Sequence, residues 1–312
     1  MNRLLRRLPE SRIRSLWGVL GIGCVLTVPL SAQEIDFGPP VPLGPVETSA
    51  GTGVLDQLLS RPAVSAEAQQ AYDRGKQLAD QGQCAEAIEL FSQAIAVDSR
   101  FTDAYVERGK CFAELQMYDL ALQSLSQALS LEQQSPETFA QRGELLLEMG
   151  QYREAADDFE QAIQLNPSEA EYFHQHGTAL YRLAMTTLAA GPQAAQTHLT
   201  AAIHSLDRAV ELRPDHADAH FIRGRANTQL GQLDEAIADL QQASQLEPEN
   251  LDYVAQLGYA LVQRGNQLAA ARIKDEPAIR ADYQAARDAL TRYLEGQEEV
   301  DGPAETTADP SD

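Results

Sequence analysis

Glycine recurs at Gly75, Gly109, Gly143, Gly177, Gly224 and Gly258, at intervals of 34, 34, 34, 47 and 34 residues. A period this long restricts the fold more than any other feature of the chain. Each copy has to be one small supersecondary unit, and such units stack because none can bury its apolar face alone. Twelve residues after Gly75, Gly109, Gly143 and Gly224 stand Ala87, Ala121, Ala155 and Ala236. Nineteen after them stand Ala94, Ala128, Ala162 and Ala243, and the longer fourth copy regains the register at Ala202 and Ala209. Small residues in fixed columns suit helices packed about 8–10 Å apart, where the crossing point has little room for a side chain.

The third copy, Pro136 to Glu169, reads as two helices joined by a tight turn. Ser135 is an N-cap, and Pro136 follows at the first helical position, where a missing N–H costs nothing. Phe139, Leu146 and Met149 recur at helical spacing until Gly150 ends the helix. The second helix carries Ala155, Phe159, Ala162 and Ile163 on one face, and Asn166–Pro167 stops it.

This pattern resembles the tetratricopeptide repeat, a helix–turn–helix unit of 34 residues. The family's large residue four before the glycine corresponds to Ala71, Tyr105, Phe139, Phe173, His220 and Val254. Its late proline is present as Pro167, Pro214 and Pro248, but Ser99 and Gln133 stand there in the first two copies. The sixth copy departs most, with Tyr293 in place of the last alanine. The resemblance covers residues 67–295 and implies an all-α, right-handed α-solenoid of about six repeats. Their spans are near 68–101, 102–135, 136–169, 170–216, 217–250 and 251–295. It implies a protein-binding scaffold without naming the partner.

Outside the array, residues 1–32 have the layout of a secretory signal: five arginines, an apolar run from about Leu16 to Leu30, then Ser31 and Ala32. The run is shorter than the roughly 20 residues that span a bilayer, and Pro29 interrupts its end, which speaks against an uncleaved anchor. Cys24 after Leu20–Gly23 is a poor lipoprotein signal, and Leu8–Pro9–Glu10 do not continue a twin-arginine one. Export through a bacterial inner membrane, to the periplasm or beyond, is the expectation. Residues 33–66 form a linker with Pro39, Pro40, Pro42 and Pro45 ahead of a Gly/Ser/Thr patch. Residues 296–312 are an acidic tail with Pro303 and Pro310, expected to be disordered.

The whole chain carries a net charge of −22, and without residues 1–32 it carries −26. So acidic a surface repels phosphate backbones and anionic lipid, which excludes nucleic acid and, after signal cleavage, membrane surfaces as partners. Cys84 and Cys111 should come to the same end of neighbouring antiparallel helices, where a disulfide and two small buried hydrophobes are both open readings.

The fourth and sixth copies should have lengthened hairpins, around Gly191–Pro192 and Asp275–Pro277. The sixth return helix should end near Leu294 and cap the array. All six histidines fall between His174 and His220, and His216 and His220 lie one helical turn apart beside Asp215 and Asp218. That spacing would suit a metal, but His220 occupies the aromatic packing place and His176 precedes the packing glycine. Packing and surface histidines are therefore expected, with no metal site and no cofactor. The chain has no HExxH, G-x-S-x-G, P-loop or CxxC motif, so catalysis is not expected.

In the family the first helix of each pair lines a concave groove that receives a peptide or a partner's helix. By that register the groove would hold Asp103, Glu107, Lys110 and Glu114 from the second copy and Glu137, Glu144 and Glu148 from the third. Glu171, His174 and Thr178 follow from the fourth, with Lys76, Arg182 and Arg225 on the flanks. A basic protein segment is the expected guest. The Lys, Asn and Arg places by which some relatives grip a C-terminal carboxylate are missing here. A self-assembling scaffold is the alternative, and a metal-dependent hydrolase using the His174–His220 cluster is the reading from a different class.

Overall fold

The computed structural model describes residues 64–132, 134–188, 191–271 and 276–301. Residues 1–63, 133, 189–190, 272–275 and 302–312 lie outside them, and with these the expected export signal, nearly all of the expected linker and most of the expected tail. The described residues contain twelve helices and no strand. They belong to two compact units. The unit of residues 64–131 holds α1 (Ala66–Ala79), α2 (Cys84–Val97), α3 (Thr102–Glu114) and α4 (Tyr118–Leu131). The unit of residues 132–301 begins with α5 (Pro136–Glu148), α6 (Tyr152–Leu165), α7 (Ala170–Thr187) and α8 (Pro192–Leu212). It ends with α9 (Ala217–Leu230), α10 (Leu233–Leu246), α11 (Leu251–Ala270) and α12 (Glu276–Asp301).

Local signals start and stop these helices. The Ser65 and Ser135 side chains accept from Ala68 N and Thr138 N, each at 3.2 Å, and Pro136 opens α5 as the sequence predicts. The turn inside a repeat needs a left-handed residue, supplied by Gly82, Gly150 and Gly231, each with φ of 75°. In the second repeat Gln116 takes the same role at φ 59°, a conformation that is costly for a residue with a Cβ. Each turn is closed by a backbone bond five residues back, such as Gln151 N to Leu146 O at 2.8 Å.

Both alanine columns are at 0% exposure, from Ala87 and Ala94 to Ala236 and Ala243. The glycine column sits opposite a large side chain of the second helix. A Cβ on Gly75 would stand 2.9 Å from the Phe91 ring, and one on Gly143 would stand 2.9 Å from Phe159. At Gly177 the closest atom would be Leu206 Cγ at 2.6 Å, with the Ala202 carbonyl at 3.1 Å. The helices of a pair can approach this far only because the glycine leaves the space.

The lengthened copies are present. α7 and α8 have 18 and 21 residues, against 13 and 14 in the third repeat. Ala184 and Leu199 in the added turns are buried with Tyr181, Ala202 and Ala226, so the inner part of the extension is core. Its outer end leaves Leu188 45% exposed. The last helix differs from expectation, since α12 continues to Asp301 instead of ending near Leu294. Gly296 lies directly against the Leu251 side chain at the start of α11, so the helix is packed at this point of the acidic segment.

The glycine column yields a stability test. Gly177→Ala should cost about 1–3 kcal/mol, because the buried Leu206 and a backbone carbonyl leave no slack. Gly191→Ala, with nothing within 4 Å, should be close to neutral in the same urea titration.

Candidate functional site

In the 64–131 unit, α3 carries the expected first-helix residues. Asp103 is exposed, and Glu107 pairs with Lys110 at 2.8 Å, so that lysine is engaged on its own helix. Glu114 accepts a hydrogen bond from Cys84 Sγ at 2.9 Å. Cys84 and Cys111 are free thiols, both buried in one cluster with Ala87 and Phe91. Burial pushes both thiols up, and Cys111 and Glu114 add to the effect at Cys84.

In the 132–301 unit, Glu137, Glu144 and Glu148 stand exposed on α5. Glu144 is nonetheless constrained. Partial burial of the side chain raises its carboxyl, and the charges of Glu171 and Glu148 raise it further. Thr178 is buried, and its hydroxyl has no hydrogen-bond partner among the described residues. Arg225 of α9 is half-buried, its guanidinium 5.1 Å from the Tyr181 ring and 5.4 Å from that of Phe221.

Glu171 is the centre of the densest polar arrangement on this face. Its Oε1 lies 3.0 Å from His174 Nδ1 and accepts from Gln175 Nε2 at 3.0 Å. Its Oε2 lies 3.3 Å from His216 Nε2 and 3.6 Å from Arg213. The two imidazole rings meet with centroids 4.4 Å apart. Hydrogen bonds to His174 and then His216 hold the Glu171 carboxyl far below the usual carboxylate range. The sequence reading expected packing and surface histidines, yet His174 of α7 and His216 before α9 converge on one carboxylate.

His220, in contrast, is buried and fully engaged. Its Nδ1 faces Asp239 Oδ1 at 3.1 Å and its Nε2 faces the Pro214 carbonyl at 3.0 Å. Asp239 also accepts two bonds from Arg223, at 2.6 and 2.9 Å, and Arg223 reaches Asp207 at 2.7 Å. Burial works to raise the Asp239 carboxyl, but the His220 and Arg223 hydrogen bonds outweigh it and hold the group below its usual value. His216 and His220 therefore do not act together, although they are one turn apart.

Arg223 belongs to a column of polar residues that the glycine and alanine columns do not reveal. In the second to fifth repeats the residue before the packing glycine is Arg108, Arg142, His176 or Arg223, and it reaches a polar residue on the second helix of its own repeat. Arg108 reaches Ser124 at 3.3 Å, Arg142 reaches Asp158 at 2.6 and 2.7 Å, and His176 meets Ser205 at 2.9 Å. Arg264 makes a similar fork to Asp282 in the sixth repeat. The available signal was the 16-residue spacing of Arg108–Ser124, Arg142–Asp158 and Arg223–Asp239.

Comparison with known proteins decides the family. The tetratricopeptide repeat pattern matches residues 72–137 and 193–248, and residues 136–169 match a second version of it. This is a tetratricopeptide-repeat protein. Over 66 residues the repeat protein is 38% identical to the Homo sapiens FK506-binding protein-like protein, with the same figures for the Rattus norvegicus counterpart. The match takes in 21% of this chain and only 19% of those relatives. Among solved structures it resembles YrrB, a tetratricopeptide-repeat protein with an unusual peptide-binding site, at a TM-score of 0.52 and 20% identity. That overlap covers 62% of this chain and 97% of YrrB. MamA is similar at a TM-score of 0.52 and 19% identity, over 60% of this chain and 95% of MamA. At such identities the likeness concerns the fold.

Two tests follow from these side chains. Asp239→Ala should destabilise the protein by about 3 kcal/mol, because Arg223 and His220 lose a buried partner. Since Asp239 is held below its ordinary 3.8, its stabilisation is complete above that value and is lost as pH falls through the lowered one. Urea midpoints measured from about pH 4 downward should thus fall more steeply for the natural protein than for Asp239→Asn. The raised thiols predict slow alkylation by iodoacetamide of the folded protein near pH 8, with labelling of both cysteines on unfolding. A bridged pair would instead stay unlabelled until reduced and would gain two daltons on reduction.

Proposed function

We propose that this repeat protein is an exported, non-catalytic adaptor of the bacterial cell envelope, binding a basic segment of a partner protein. The segment would lie on the face that bears Glu144, Glu148 and Glu171. Tetratricopeptide repeats serve protein–protein interaction, which supports a scaffold role in general terms. The finer reading is carried by the placement of Glu144 and Glu148, both exposed on α5. The charges of Glu171 and Glu148 act on the Glu144 carboxyl, so negative charge is crowded here and an arriving lysine or arginine relieves it. Arg225, engaged with aromatic rings beside α7, would border the face on its basic side.

The peptide-binding site named for YrrB supports a peptide guest by analogy of fold alone. Export is supported by the layout of residues 1–32, and no helix among the described residues is long and apolar enough to cross a membrane. Few anchors should supply the affinity, with the carboxylates setting orientation and association rate.

Affinity capture from envelope extract, with the natural chain and a Glu144→Lys/Glu148→Lys chain as parallel baits, tests this reading. One partner held by the natural bait and lost by the reversed one is expected, with association slowed by added salt. A partner retained equally by both baits would remove the acidic face from the interaction.

A further inference from the structure

We propose that Glu171, His174 and His216 form a binding site for a divalent first-row transition metal, with zinc as the natural probe. Each offers one ligand atom, and the three atoms lie within 4.8 Å of one another. Ligands about 2.0–2.1 Å from a tetrahedral zinc stand about 3.3 Å apart. The separations here are 3.0 Å from Glu171 to His174 Nδ1 and 3.3 Å from Glu171 to His216 Nε2. The first contact is to Glu171 Oε1 and the second to Oε2, so the two imidazoles reach the two oxygens of one carboxylate and would draw together around an ion. Two imidazoles and a carboxylate suit borderline metals, and three protein ligands leave one position open to solvent.

The placement of His216 supplies an independent observation. It precedes α9 at the N-cap, where Ser65, Ser135 and Asn250 bond to their own helices through their side chains. The His216 side chain makes no such bond to α9 and faces Glu171 of the preceding repeat instead. The three residues thus span the first helices of two consecutive repeats, α7 and α9. Charge also favours a cation, since Glu144 interacts with Glu171 and Glu169 lies beside it. The opposing group is Arg213, 3.6 Å from Glu171 and 43% exposed. It already reaches Glu169 at 3.4 Å, so it has a carboxylate to keep when the ion takes Glu171.

The ion would fix the α7–α9 junction and would act independently of whether a basic segment binds nearby.

The test uses the full chain, freed of metal and titrated with zinc against a chromophoric chelator. About one equivalent is expected to bind and to raise the melting temperature. Glu171→Gln and His216→Ala should weaken binding at least about tenfold, whereas the exposed His204→Ala should leave it unchanged. Cobalt substitution should give visible bands of a four-coordinate site without thiolate charge transfer, which separates this site from Cys84 and Cys111. Circular dichroism of each variant keeps loss of binding distinct from loss of fold, and Glu171→Gln preserves the shape of the side chain. No zinc retained at micromolar concentration, or equal retention by both ligand variants, would overturn the proposal.

Discussion

The close approach of the two helices within each repeat is the constraint on which the rest depends. A helix pair of about thirty residues has little apolar surface, so it is stable only when the pairs interlock and stack. Gly75, Gly109, Gly143, Gly177, Gly224 and Gly258 each face a large side chain at contact distance, and the alanine columns are at 0% exposure. Where the fourth repeat is longer, Gly177 still meets Leu206, and the added residues appear as extra turns beyond that contact. Length can vary at the hairpin end because the crossing point is fixed by the small residues.

A second, polar device works beside the glycines. Arg142 and Arg223 carry forked hydrogen bonds to Asp158 and Asp239, and Arg223 also bonds to Asp207 of the preceding repeat. Packing of small residues alone is tolerant of sliding, because alanine surfaces offer few features that distinguish one register from the next. A guanidinium fork is planar and directional, so these arginines add specificity where the apolar contact is least selective. His220 joins the same network through Asp239, which explains a polar residue at the family's aromatic place.

The acidic face of the first helices shows the opposite relation between sequence and structure. Helical register put Glu144, Glu148, Glu171, His174 and Thr178 on the first helices, and they are there. Register does not tell how a carboxylate is surrounded. Glu171 is gripped by two histidines and a glutamine, whereas Glu144 is crowded by like charge. The sequence brought forward the pair His216 and His220 because they are one turn apart, but Asp239 and the Pro214 carbonyl take His220 inward. His174 and His216 are separated by a whole lengthened repeat, so no local spacing could join them.

Period, helix type, turn positions and the lengthened fourth hairpin were legible in the sequence because each follows from local rules. Ser135 caps, Pro136 opens, Gly150 turns, and alanine or glycine marks every close contact. The end of α12 was not legible, because the pattern after Leu294 is acidic and nothing local marks the contact of Gly296 with Leu251. The pairing of Cys84 Sγ with Glu114, of Arg223 with two aspartates, and of Glu171 with His216 was likewise decided by tertiary structure. These contacts join residues 16 to 45 positions apart, and the sequence states their chemistry but not their distance. Local propensity determined where all the helices but the last begin and end, while the stacking of one helix pair on the next determined which side chains meet.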